Sequence, residues 1–236
     1  MSDERMGLAG TLALLAATVA VVFGVALSRD GPSAGLAESG AAPAGAVLDS
    51  DELLELSLEL SPAVARRVER IRGLEFKTAP KPQVTDTEAL RELAARETTK
   101  PKAAARIAAS DVELKLLGLL EPGESLADVA SEVTADAAAY YDPKEKELFL
   151  IGDAVPAGAA LAEFVLAHEL QHALEDQAFG LPRSAASSDD RVLAETALVE
   201  GSATALMLEY AGQHLALADL LDESGGLQSG AGDLPE

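Results

Sequence analysis

Apolar positions along the chain follow three rhythms. The first is unbroken: Met6 to Ser28 reads MGLAGTLALLAATVAVVFGVALS and carries no charge. A run of that length is long enough to span a bilayer as a helix. It reads either as an uncleaved transmembrane anchor or as a secretory signal peptide, with Ala26 and Ser28 as small residues suited to cleavage after Ser28. The flanking charges do not set an orientation, but both kinds of segment commonly send the rest of the chain across, so the expectation is a membrane-anchored or secreted protein with its folded domain on the extracytoplasmic side. Arg29 to Val47, rich in Gly, Ala, Ser and Pro, then reads as a flexible linker. Leu48 to Asp222 is expected to fold as one domain. Glu223 to Glu236, with four glycines and two serines, is expected to be a disordered tail.

The second rhythm is helical. Asp49 to Leu60 alternates acids and leucines and predicts a short helix. Ser61-Pro62 reads as an N-cap followed by proline at the first helical position, opening a second helix that runs to Ile71 and stops at Gly73. Leu74 to Val84 is expected to hold a short strand. Thr85 or Asp86 caps a helix through about Ala95, and further helices are predicted over Ala103 to Leu120 and Ser125 to Val133. The third rhythm, strand-like, appears only once. Ala137 to Tyr141 and Glu147 to Ile151 are rich in Tyr, Leu, Phe and Ile and flank an Asp142-Pro143 turn, which predicts a β-hairpin. Two long helical patterns follow, Pro156 to Gln177 and about Arg191 to Leu221, the latter capped by Asp189 or Asp190. The fold class is therefore α+β and predominantly helical.

Composition narrows the chemistry. Aromatics are 3% of the chain, so the core must be built mainly from Leu, Val and Ala. There is no cysteine, which excludes disulfides, thiolate metal sites and cysteine nucleophiles. The formal net charge of −22 repels phosphate backbones and argues against a nucleic-acid partner. An acidic surface of this kind commonly serves solubility and identifies no substrate.

One motif points to a reaction. His168-Glu169-Leu170-Gln171-His172 is H-E-x-x-H, placed in the middle of a predicted helix. Residues four apart share a helical face, so both imidazoles can converge on one ion at Zn–N distances of about 2.0–2.1 Å. Glu169 is rotated by about 100° from His168, beside the ion, where a carboxylate can take a proton from a metal-bound water. A zinc hydrolase needs a third protein ligand and an open fourth position. Two carboxylates on the last long helix are candidates, Glu195 and Glu200, about 140° apart around it. The Glu200 face carries Thr196, Ala197, Ala203 and Thr204, small enough to let that helix approach the motif closely. Glu200 is therefore the expected ligand. His214 lies about 21 Å farther along the same helix, too far to share the ion.

His168-Glu169-x-x-His172 followed on a later helix by Glu200-Gly-Ser-Ala203 resembles the gluzincin branch of the zincin metallopeptidases. The chain is also similar in layout to uncharacterised bacterial membrane-targeted sequences of zincin type, which share H-E-L-x-H-A-L-x-D-Q, here His168 to Gln177, and a preceding Y-D-P turn, here Tyr141 to Pro143. The similarity covers roughly Arg72 to Leu206. It implies a zincin-like fold, with a small mixed sheet packed on the H-E-x-x-H helix and a second helix bearing the glutamate. It implies a Zn²⁺ cofactor on His168, His172 and Glu200, Glu169 as general base, and a peptide or protein substrate. The metzincin extension is absent, because Ala178 stands six residues after His172.

Further roles are open at this level. Asp176 either orients an imidazole or is a solvated acid at a helix end. Tyr140 or Tyr141 either donates a hydrogen bond to an oxyanion or belongs to the core. The edge Leu148 to Ile151 is a candidate for pairing with an extended peptide. A rival reading keeps the fold and the metal but not the reaction: a membrane-tethered metal-binding or scaffold protein.

Overall fold

The computed structural model describes residues 50–135, 137–156, 158–181 and 189–228. The apolar run Met6 to Ser28, the linker and the last eight residues lie outside the described residues. Among those described, no helix is long and apolar enough to cross a membrane. The architecture is α+β and predominantly helical, with one three-stranded sheet.

The first helix, α1 (Ser50–Arg72), overturns one expectation. It runs without interruption through Pro62, where the sequence suggested two helices. Proline there removes one backbone donor and disfavours helix at the residue before it. The buried residues Leu53, Ser57, Ser61, Val64, Ala65 and Val68 form a continuous stripe through the proline, and their burial against the core outweighs that cost. Gly73, at φ 65°, ends the helix in the left-handed conformation that glycine adopts most readily.

Strand β1 (Gln83–Thr85) leads into α2 (Thr87–Thr98), whose N-cap Asp86 accepts a hydrogen bond from the Ala89 amide at 2.7 Å. Helices α3 (Pro101–Leu116) and α4 (Leu126–Ala135) follow, and Asp111 on α3 accepts from the Leu126 amide that opens α4, at 2.9 Å. The predicted hairpin forms as β2 (Ala139–Asp142) and β3 (Glu147–Ile151). Asp142 folds its own turn by accepting from the Lys144 and Glu145 amides.

Sheet order is β1-β3-β2, with β1 parallel and β2 antiparallel to β3. Leu148 to Ile151 is thus the central strand rather than an edge. Gln83 to Thr85 occupies the side on which a peptide was expected to pair. That pairing joins residues more than sixty positions apart, which local pattern does not reveal.

Helix α5 (Ala159–Ala178) is central, with fourteen of its twenty residues buried. It packs against α1, the sheet, α6 (Asp189–His214) and α7 (Leu217–Gln228). The main core joins Val64 and Val68 of α1, Leu148 and Leu150 of β3, Leu166, Leu170 and Leu174 of α5, and Leu206 and Tyr210 of α6. The last predicted helix is in fact two, broken at Leu215-Ala216. The second, α7, continues to Gln228, past the boundary at Asp222 expected for the tail. Glu223 explains why. Its carboxylate accepts from the Leu161 amide at 2.7 Å and the Ala160 amide at 3.4 Å, capping the first turn of α5. Gly158, the N-cap residue, supplies no side chain, and a Cβ there would collide with the Glu223 carboxylate.

Candidate metal centre

Residues 168 and 172 lie one turn apart on α5, facing α6. On α6 the buried positions Thr196, Glu200, Ala203, Met207 and Tyr210 recur at helical spacing and form the face that packs on α5. Ala203 is fully buried, so the two backbones approach closely beside Glu200. Ala197, expected on that face, is exposed. The result brings His168, His172 and Glu200 together as one cluster able to hold a metal ion.

Its dimensions test that suitability. His168 Nε2 and His172 Nε2 are 3.1 Å apart, and Glu200 Oε2 lies 3.4 Å from the first and 3.5 Å from the second. Ligand atoms held about 2.0–2.1 Å from a tetrahedral ion lie roughly 3.3–3.4 Å from one another. The triangle therefore has nearly the size a tetrahedral metal demands before any rearrangement. The donor set, two imidazoles and a carboxylate, suits zinc. Neither Nδ1 of the two histidines has a hydrogen-bond partner, and both are buried.

Glu195 stays outside the cluster. It turns away to pair with Arg191 at 2.7 Å, one turn earlier on the same helix. His214 is half-buried at the far end of α6, its ring 4.9 Å from that of Tyr210 in an edge-on contact.

Glu169 is also buried, beside the triangle, with Oε2 unpartnered. Burial pushes its carboxyl up to about 8, helped by the charge of Glu200, while His172 and the Tyr141 amide pull the other way. Strand register accounts for that amide. The Ile151 N–H donates to the Ala138 carbonyl, and the pairing Ala139↔Leu150 continues the ladder, so Ala138, Tyr140 and Asp142 bond toward β3. Tyr141 directs its N–H the other way, across the sheet edge to Glu169.

Burial alone would raise the Glu200 carboxyl, but the imidazoles of His168 and His172, within 3.5 Å of it, bring it down to about 2. The two histidines diverge. Burial holds His168 below its usual range, while for His172 the carboxylates of Glu200, Glu169 and Glu175 outweigh burial and raise it.

The side chains left open by sequence take structural positions. Asp176 accepts from the Tyr141 hydroxyl at 2.9 Å and from the Leu181 amide at 2.9 Å, fastening β2 and the chain after α5 to the end of that helix. It is a buried tether rather than a solvated acid. Tyr140 stacks on Phe149 with ring centroids 4.8 Å apart, and burial pushes its hydroxyl up to about 12. Two features had no sequence signal. Glu175 bridges Arg72 of α1 at 2.6 Å and Ser202 of α6 at 2.7 Å. Glu163, three turns earlier, joins Arg67 of α1 to Tyr210 of α6. These two braces hold all three helices around the row that carries the motif.

The chain matches no protein-family model, no curated protein and no solved structure.

Proposed function

We propose that this chain is a zinc-dependent hydrolase of the metallopeptidase type with a zincin-like fold, and that His168, His172 and Glu200 hold the metal. The observation that carries the reading is the triangle of His168 Nε2, His172 Nε2 and Glu200 Oε2 with edges of 3.1, 3.4 and 3.5 Å, with Glu169 beside it. Zinc bound there would polarise a water and a scissile carbonyl. Glu169 takes the proton from the attacking water and returns it to the leaving amine. The Tyr141 amide fixes the carboxylate of Glu169, so the base is oriented by the sheet and not only by its own helix. A pure binding site has no need of such a carboxylate.

The test pairs zinc quantification of the purified protein with digestion of a broad peptide library by wild type and Glu169→Gln. The expected result is stoichiometric zinc in both and a loss of about a hundredfold or more in the variant's rate. An active wild type whose Glu169→Gln variant keeps most of its rate would refute the mechanism.

One observation favours a second reading. His168, Glu169, His172 and Glu200 are all 4% exposed or less, whereas a catalytic metal needs an open position. Stoichiometric zinc without hydrolysis of any library peptide would identify the chain as a metal-binding or scaffold protein, the metal then serving stability.

A further inference from the structure

Helix α5 carries a fully buried amide with no hydrogen-bond partner among the described residues. Gln171 is 0% exposed, and neither Oε1 nor Nε2 is paired. A buried amide left unpaired costs stability, and an apolar side chain of similar shape in its place is neutral or stabilising. Such a residue is out of place in a core unless it serves a site. Its position indicates which one. Glu163, Ala167, Gln171 and Glu175 follow one another at intervals of four along α5. The outer two are the braces to α1 and α6, and the inner two are fully buried between them. Gln171 therefore faces the junction of the three helices, about 60° around α5 from His168.

We propose that Gln171 positions His168 for the metal, its Oε1 accepting from His168 Nδ1 and its Nε2 donating to Glu175. The proposal rests on the reading of His168, His172 and Glu200 as metal ligands, and not on hydrolysis. An imidazole that ligates through Nε2 carries its proton on Nδ1, and the acceptor of that N–H fixes the ring. His168 Nδ1 is buried and unpartnered. The side chains three and four positions from it along α5 are Phe164, Val165, Gln171 and His172, and of these only Gln171 offers an oxygen. Side chains three apart have Cβ atoms about 5–6 Å from one another, within reach of a glutamine, whereas those one apart do not face each other. His168 rather than the adjacent His172 is thus the partner. Glu175 stands four positions beyond Gln171. Its carboxylate accepts from Arg72 and Ser202, and a carboxylate has about four acceptor sites, which leaves room for the amide. The row then links a ligand, through one amide, to the ion pair that fastens α5 to its neighbours. Thr204 of α6 also has a buried, unpartnered hydroxyl, but a helical threonine has the carbonyl four residues back within its own reach. Gln171 has no such recourse.

Two measurements on the full chain test this: zinc affinity by chelator competition, and urea unfolding of the chelator-treated protein. Wild type is compared with Gln171→Leu and Gln171→Met, and Thr204→Val is the control. The expected changes have opposite signs. Zinc binds both Gln171 variants about 10–100-fold more weakly, while their metal-free urea midpoint equals or exceeds that of wild type. In zinc-loaded wild type the His168 Nδ1 proton should give a slowly exchanging NMR resonance that is lost or shifted in the variants. Wild-type zinc affinity in both variants overturns the proposal. A lower affinity accompanied by a lower metal-free midpoint in both also overturns it, because Gln171 then serves packing. A loss of affinity confined to Thr204→Val makes the hydroxyl the acceptor and overturns it as well. A wild type that binds no zinc overturns the metal centre itself, whereas the other outcomes leave that centre standing.

Discussion

Replacing Glu169 by Gln should change how the metal-free protein responds to pH, apart from any effect on catalysis. The carboxyl is fully enclosed and its pKa rises from 4.5 to about 8. The unfolded chain releases this proton above pH 4.5, while the folded chain keeps it until about pH 8. Folding stability from this group is therefore fully present below pH 4.5, declines through the interval and levels off above pH 8. A shift of three and a half units corresponds to about 5 kcal/mol at most, or about 1.4 kcal/mol per pH unit. Gln has the size of the protonated acid and does not titrate, so Glu169→Gln removes this dependence. Urea unfolding of chelator-treated wild type and variant, followed by circular dichroism at pH 5, 6, 7 and 8, measures it. Titrations of Glu200 and the histidines are largely common to both proteins and drop out of the difference. The variant should gain on wild type by roughly 3 kcal/mol between pH 5 and pH 7. A difference that stays constant with pH would refute the claim that burial raises this carboxyl.

Other expectations follow from the same geometry. His168→Ala and His172→Ala should each abolish stoichiometric zinc and Glu200→Ala should weaken it strongly, while Glu195→Ala leaves it near wild type; elemental analysis after dialysis would show the reverse if the wrong carboxylate has been chosen. Tyr141→Phe strips the buried Asp176 of its hydroxyl donor and should cost about 1–3 kcal/mol in urea unfolding, whereas a cost near zero would mean that the tether carries no load. Glu223→Ala removes the cap from α5 and should cost about 1 kcal/mol, with no change expected if the contact is incidental. Removing residues 1–28 should leave a soluble, folded protein, and aggregation of that form would show that the domain boundary is misplaced.

What could be read in the sequence was what local spacing determines. H-E-x-x-H sets two imidazoles on one helical face and a carboxylate beside them by helical geometry alone, and the angle between Glu195 and Glu200, with Thr196 and Ala203 small beside the latter, separates the carboxylate that joins the cluster from the one that does not. The Asp-Pro turn between two strand-forming runs gave the hairpin. What escaped depends on partners far away in the chain. Pro62 looks like a helix start until the burial of α1 against α5 is known. Leu148 to Ile151 looks like an edge until Gln83 to Thr85 arrives beside it. The Tyr141 amide has no side-chain signature, and only the register of the hairpin reveals its direction. Glu223 sits among glycines and serines and resembles a tail, yet its role is set by a helix 62 positions earlier.

That distance has a meaning in time. A chain made from its N-terminus exposes His168 and His172 before Glu200, and Glu200 before Glu223. While synthesis is under way, the nascent protein carries two of the three clustered side chains on a helix whose first turn is still uncapped. The third side chain of the cluster and the cap come from the last two helices described. The cluster is thus completed only after Glu200 has been made, and a molecule interrupted before it carries the H-E-x-x-H sequence without the third side chain.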